Sequence, residues 1–136
     1  MNTQDMRRRI EGAMVARLAT VGRDGRPHIV PITFAPTEQA LYFAVDQKPK
    51  KSADLQRLRN IEANPGVSVL IDHYEDDWAR LWWVRVDGRA RIIREGGELE
   101  TVITLLSRRY AQYRSARPAG PAVAIEIERM TAWSAS

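Results

Sequence analysis

The stretch VARLATVGRDGRPHIVPITFAP, residues 15–36, decides how the rest of the chain is read. Its first seven residues are rich in β-branched types and alternate with a period of two, the pattern of a half-buried strand. GRDGR (22–26) follows, and Asp24-Gly25 between two such runs signals a hairpin, because glycine accepts the positive φ that a tight turn requires. PHIVPITFAP (27–36) is then the return strand. Pro27 and Pro31 lack an N–H, so this strand is expected at a sheet edge, or bulged near Pro31.

Upstream, residues 3–13 read as a short helix with Thr3 as N-cap, Asp5 in the first turn, and Met6, Ile10 and Met14 spaced by four. Downstream, TEQ turns the chain and ALYFAVD (40–46) predicts a third strand, which makes an antiparallel meander. SADLQRLRNIEA (52–63) is helical, N-capped by Ser52 and ended by Asn64-Pro65-Gly66. GVSVLIDHY (66–74) is a strand and EDDWA (75–79) a polar turn. RLWWVRVDGRARII (80–93) is a long strand, with Gly88 at a bulge or bend. GELETVITLLSRRYAQY (97–113) fits a helical period through Leu99, Val102, Ile103, Leu106, Tyr110 and Tyr113. RSARPAGP (114–121) is a loop and AVAIEIERMTAWS (122–134) the last strand. The order β-β-β-α-β-β-α-β predicts a mostly β (α+β) fold, an antiparallel barrel with flanking helices, as one domain over residues 1–136.

Composition narrows the function classes. The absence of cysteine removes disulfides, thiolate zinc sites, iron–sulfur clusters and thiol nucleophiles. MNTQDMRRRIEGAM (1–14) has no apolar signal-peptide core, and no window approaches the roughly 18 apolar residues of a membrane span. A cytoplasmic protein is the expectation. The net charge is +4, but arginines run along the whole chain rather than forming a patch, which argues against nucleic acid as a partner. His28 and His73 are the only histidines and stand in no ligand spacing, so no metal site is expected. Asp72, Glu75, Asp76 and Asp77 read as a solvated strand end and turn. Neither a Gly-x-Ser-x-Gly elbow nor a Gly-x-Gly-x-x-Gly turn is present, so catalysis here implies a bound cofactor.

The basic residues comprise 18 Arg and 3 Lys, and all three lysines fall in DQKPKKSADL (46–55). Lys48, Lys50 and Lys51 precede a helix start capped by Ser52, where unsatisfied N–H groups already carry partial positive charge. An anion such as phosphate would relieve that conflict. A solubilising loop tip is the other reading of the same residues. Trp82 and Trp83 are adjacent on a strand and so point to opposite faces; one suits the core and the other a groove, a subunit contact or a planar ligand.

LATVGRDGRPHIVPITF (18–34), LYFAVDQKPKKSADLQRLRNIEANPGVSVLID (41–72) and LWWVRVDGRARI (81–92), in this order, resemble the pyridoxamine 5′-phosphate oxidase-like, FMN-binding split-barrel superfamily. The chain is most similar to its small, deazaflavin (coenzyme F420)-dependent oxidoreductases. The resemblance implies a split β-barrel and a homodimer with cofactor sites at the interface. It also implies hydride transfer from reduced F420 to a small conjugated substrate, with solvent or a side chain such as Tyr74 as proton source. HIVPIT matches the strand that meets the cofactor ring, which points to His28, Val30, Pro31, Ile32 and Thr33. Ala44, Val45 and Asp46 flank the cofactor; Lys50 and Lys51 match the phosphate-holding basic pair, with Lys48 and Ser52 beside them. Trp82, Trp83 and Arg85 match the strand through which the partner completes the pocket. Arg57, Arg59, Arg108 and Arg109 are candidates for the polyglutamate tail of F420. Pyridoxamine phosphate oxidases carry Arg and Lys where this chain has His28 and Thr33, and a further C-terminal segment where this sequence ends three residues after Trp133. An FMN-binding reductase or oxidase, and a non-catalytic flavin-, F420- or haem-binding module, are the alternatives.

Overall fold

The computed structural model describes residues 1–45 and 52–136, and the side chains of all of these except 52–55. The first helix, α1 (Thr3–Gly12), is capped by Asn2 and not by Thr3. Asn2 accepts from the Asp5 N–H at 2.8 Å while the Asp5 carboxylate accepts from the Asn2 N–H at 3.2 Å, a reciprocal capping box. Strands β1 (Ala16–Val21), β2 (Pro27–Ile32), β3 (Ala35–Pro36) and β4 (Ala40–Ala44) follow. Next come α2 (Ser52–Ala63), β5 (Gly66–His73), a single 3-10 turn (Trp78–Arg80) and β6 (Trp82–Ile93). The chain finishes with α3 (Gly97–Arg109), α4 (Ala111–Ser115) and β7 (Ala122–Ser134).

Among the described residues, seven strands form one antiparallel sheet in the order β2-β1-β5-β6-β7-β4-β3. The expected hairpin is present, with Thr20 opposite His28 and Gly25 at φ 76°. The expected meander is present only in part: β4 pairs with β3 across the TEQ turn, Ala35 opposite Tyr42, but its other neighbour is β7, Tyr42 opposite Ala124, and both lie at the far side of the sheet from β2. What reads in sequence as one return strand is two, and they are the two edges of the sheet. A flat sheet of this size would be about 29 Å wide. Only Thr33 and Phe34 separate β2 from β3, and three Cα steps reach no more than about 11 Å. The sheet therefore curls until its edges nearly meet, which is the split barrel that the sequence predicts.

Leu18, Phe34, Phe43, Val69, Ile71, Val84, Val86, Val123 and Ile125 fill the interior. On the other face of β4 and β7, the small side chains of Ala44, Ala122 and Ala124 let α3 approach with Leu99, Val102, Ile103 and Leu106. The helix expected over 97–113 breaks at Tyr110, whose backbone is extended (φ −124°, ψ 123°), and α4 takes the start of the expected loop. The break aims the Tyr110 hydroxyl at the backbone of Phe34, where it accepts from the N–H at 3.0 Å. The expected irregularity at Gly88 is present. Asp87 pairs with Arg129 but Gly88 with Ile127, so the extra residue is Glu128 on β7. A Cβ at Gly88 would lie 2.4 Å from the Glu126 carbonyl oxygen, closer than packing allows. No helix among the described residues is long and apolar enough to cross a membrane.

Candidate functional site

The open edge of β2 is the first part of the site. His28, Val30 and Ile32 turn inward along it, while Ile29 and Pro31 face out. Pro31 sits opposite Arg17 and has no N–H to give the ladder, so it suits only the positions that do not bond β1. Ile29 shares that parity and turns its own N–H and C=O towards the open edge. The result is a strand with an unpaired backbone group beside the split, as the HIVPIT resemblance requires. The Nδ1 of His28 is buried and has no hydrogen-bond partner among the described residues. Thr33 is committed elsewhere: its hydroxyl bonds the Tyr113 hydroxyl at 2.8 Å.

Helix α2 crosses from the end of β4 to the β1–β2 hairpin. At one end Arg57 lies over the Phe43 ring, 5.6 Å from its centre. At the other, Asn60 donates to the Thr20 hydroxyl at 3.0 Å, and Asn64 donates to the carbonyls of Val21 and Gly22, each at 3.0 Å. Asp46, Lys48, Lys50 and Lys51 lie outside the described residues, as does the side chain of Ser52, from which α2 starts. Val45 shares the interior with Phe43, over which Arg57 lies, whereas Ala44 is on the opposite face of β4 against α3 and is not brought to Arg57. Arg109 is not available for an F420 tail: it donates to the carbonyls of Glu11 and Ala13 and ties down the end of α1. Arg59 donates to Gln56 at 3.1 Å on the surface of α2.

The outer face of β1, β2, β5, β6 and β7 is the second part. Register places Pro31, Arg17, Leu70, Arg85 and Thr131 in one row across five strands. Asp72, Trp83 and Trp133 form the next row. Ile29 is 67% exposed, Trp133 46% and Leu70 37%, an apolar band on an otherwise charged face. Arg17 pairs with Asp72 at 3.1 Å. The Arg85 Nε lies 3.2 Å from Asp87 but is not aligned for a hydrogen bond, and Asp87 takes the Ser68 hydroxyl at 2.6 Å instead. The Thr131 hydroxyl, opposite Arg85, is also buried and unpartnered. Trp82 does not belong to this face. It points inward, its indole under Arg9 (4.6 Å) and beside His73 (6.3 Å between ring centres), so the expected Trp82–Trp83–Arg85 group divides between two faces. Thr131 and Trp133 were not foreseen as site residues. Their period-two spacing was visible, but only the β6–β7 register shows that they share a face with Trp83.

Three ionisable groups outside this face are displaced from their ordinary values. A hydrogen bond from His73 and the Arg80 guanidinium hold the Glu75 carboxyl low. Arg91 and Glu98 form a two-pronged ion pair at 2.8 and 2.6 Å, which lowers the glutamate and raises the arginine.

A family model for pyridoxamine 5′-phosphate oxidase matches residues 3–134. The chain belongs to the pyridoxamine 5′-phosphate oxidase family. Solved structures agree on the family's fold. A conserved protein of Mycobacterium tuberculosis superposes with a TM-score of 0.81 at 22% identity, over 99% of this chain and 86% of that one. An FAD-binding protein of Mesorhizobium loti gives 0.74 at 21% identity, over 97% and 94%. The haem storage protein HutZ of Vibrio cholerae gives 0.73 at 18%, over 97% and 93%. At these identities the likeness is one of fold. No curated protein matches the sequence. The family implies a flavin-type cofactor, and this member fits one in two respects. Among the described residues it leaves an unpaired strand edge at the split, and buried polar atoms of His28 and Thr131, with the ion-paired Arg85 Nε, make no hydrogen bond, which proteins seldom leave unmade.

Proposed function

We propose that this protein is an F420-dependent oxidoreductase acting as a homodimer, with a small conjugated molecule as substrate. The observation that carries the reading is the edge strand β2. Its Ile29 backbone is open for a planar ring, and its two motif ends are His28 and Thr33 in place of the Arg and Lys of pyridoxamine phosphate oxidases. Thr33 bonds Tyr113 and carries no charge, so that end lacks the cation that would grip a phosphate. The phosphate load then falls to Lys50 and Lys51, which precede α2 in the sequence, and to Arg57 on α2. When bound, reduced F420 supplies a hydride, and the substrate takes up a proton from solvent or a nearby side chain. The chain's own part is to bind, orient and exclude water. Val30, Pro31 and Ile32 shape the ring wall, and Val45 closes the interior side beyond the end of β4.

The second copy belongs on the outer face. The Ile29–Leu70–Trp133 band is apolar and fringed by the Arg17–Asp72 and Arg85–Asp87 pairs. Such a face can meet itself about a two-fold axis. Trp83 and Arg85 of one copy would then border the cofactor of the other. An FMN-dependent reductase or oxidase is the second reading, favoured by the fold shared with the FAD-binding protein of M. loti. Paired titrations with F420 and FMN decide between them. F420 is expected to bind, and Lys50→Ala with Lys51→Ala to weaken it by at least about tenfold, the scale of losing charge-assisted phosphate contacts. Preference for FMN, or unchanged F420 affinity in the double variant, would reject the reading.

A further inference from the structure

The barrel interior does not end at its apolar layers. The row beyond Ile71 and Val84 is His73, Trp82 and Ser134, and it floors an open mouth of about 390 Å³. Arg9 from the last turn of α1, with Ala79 and Arg80 of the 3-10 turn and Leu81 just after it, completes the wall. This volume suits a small ligand, and barrel mouths are recurrent ligand sites. The mouth is distinct from the β2 edge and from the outer face, because Trp82 points away from Trp83 and Arg85.

Its chemistry is lopsided. The side chains lining it include two guanidiniums and an imidazole, and no carboxylate; Ser134 and Ser136 complete the lining, and the Ser136 main-chain oxygen accepts from the Ser134 hydroxyl at 3.0 Å. The nearby acids are engaged or turned away. Glu75 holds His73 and the Arg80 Nε, the latter at 3.1 Å, and Asp77 accepts the Ala79 N–H at 3.1 Å. Asp76 is exposed on the same turn and does not line the mouth. Arg9 is the unusual member. Its guanidinium sits over the indole, 4.6 Å from the ring centre, and has no ion pair or hydrogen bond among the described residues. A guanidinium stacked on an aromatic face is pre-oriented, and its fork of N–H donors matches a carboxylate. Trp82 and Leu81 supply an apolar wall beside it.

We infer that this mouth is a second binding site, for a small flat organic carboxylate, with Arg9 as the principal ligand and Arg80 as the second. The carboxylate pairs with the Arg9 fork, and the planar body lies along Trp82 and Leu81. The site is independent of the cofactor.

The test uses the cofactor-free protein, benzoate as probe and benzamide as its uncharged counterpart, followed by calorimetry and tryptophan fluorescence. Benzoate is expected to saturate, and benzamide to bind at least about tenfold more weakly, since it lacks the charge that the fork reads. Arg9→Gln should lose at least about tenfold in benzoate affinity and Arg9→Lys less, because Lys keeps the charge without the fork. Arg80→Gln, on an exposed turn, gives a second reading if the α1 variant is poorly folded, with an expected loss of about threefold or more. F420 affinity should be the same in Arg9→Gln as in the parent. Absence of saturation at millimolar benzoate, equal binding of benzamide, or benzoate affinity untouched by both substitutions would overturn the inference. An equal fall in F420 affinity would overturn the independence of the site.

Discussion

Asn60 donates to the Thr20 hydroxyl at 3.0 Å with both residues almost fully buried, and this bond joins α2 to the first strand of the barrel. Gln56 in turn donates to the Asn60 Oδ1 at 2.8 Å. Replacing Asn60 by Ala strands the Thr20 hydroxyl in the interior and should cost about 1–3 kcal/mol. Gly22→Ala should also destabilise, because a Cβ there would stand 2.9 Å from the Asn60 Oδ1. Urea unfolding of both variants checks this. Losses that add in the double variant would show that Gly22 and Asn60 do not act through one contact.

Tyr110 is the clasp of the split. Its hydroxyl reaches the Phe34 carbonyl at 3.0 Å and the Met14 carbonyl at 2.9 Å, and accepts the Phe34 N–H at 3.0 Å. Those bonds hold the two-residue link between the sheet edges. Tyr110→Phe keeps the ring and deletes the bonds, so about 1–3 kcal/mol should be lost, mostly from the buried Phe34 N–H. A thermal melt matching that of the parent protein would show that the link is held by packing alone.

The proposed dimer is tested on the outer face. Leu70→Glu puts a charge at the centre of the apolar band and next to Asp72 on the same face of β5. Analytical ultracentrifugation should show a monomer with an unchanged circular dichroism spectrum, and a parallel fall in F420 affinity. A variant that stays dimeric would move the interface elsewhere. A monomer that keeps full F420 affinity would show that the partner adds nothing to the site.

Much of this was legible in the sequence, and its failures have one cause. The Asp24-Gly25 hairpin, the edge character of Pro27 and Pro31, the irregularity at Gly88 and the opposed faces of Trp82 and Trp83 are all local, set by turn chemistry, a missing N–H, a missing Cβ and the strand period. What the sequence concealed is non-local. Nothing in PHIVPITFAP reveals that Thr33 and Phe34 bridge the two edges of a sheet, or that β4 pairs with β7. The same holds for the site. Trp83 stood out by residue type, and the family resemblance pointed to Arg85 and the HIVPIT strand, but that Thr131 and Trp133 share the face of Trp83 needed the register. Arg109 looked like a free surface cation until the end of α1 was seen to rest on it.

The Arg91–Glu98 pair gives a pH-dependent prediction. Glu98 is held below the ordinary glutamate value chiefly by its hydrogen bonds from Arg91. A carboxylate whose folded value is depressed stabilises above its unfolded value and loses that stabilisation as pH falls through the folded one. The pair is about half exposed, 48% and 46% by side chain, so solvent screening limits its contribution to about 0.5 kcal/mol. Glu98→Gln should therefore be slightly less stable than the parent protein at pH 7. The gap should close as pH drops below about 4, where the unfolded carboxyl protonates first. It should also shrink at 1 M salt, where charges are screened within about 3 Å. Chemical denaturation at pH 7 and pH 3, with and without salt, reads all three effects. A gap that persists unchanged at pH 3 would mean that Glu98 acts through its place in the first turn of α3, as a packing or helix-start residue, and not through its charge on Arg91.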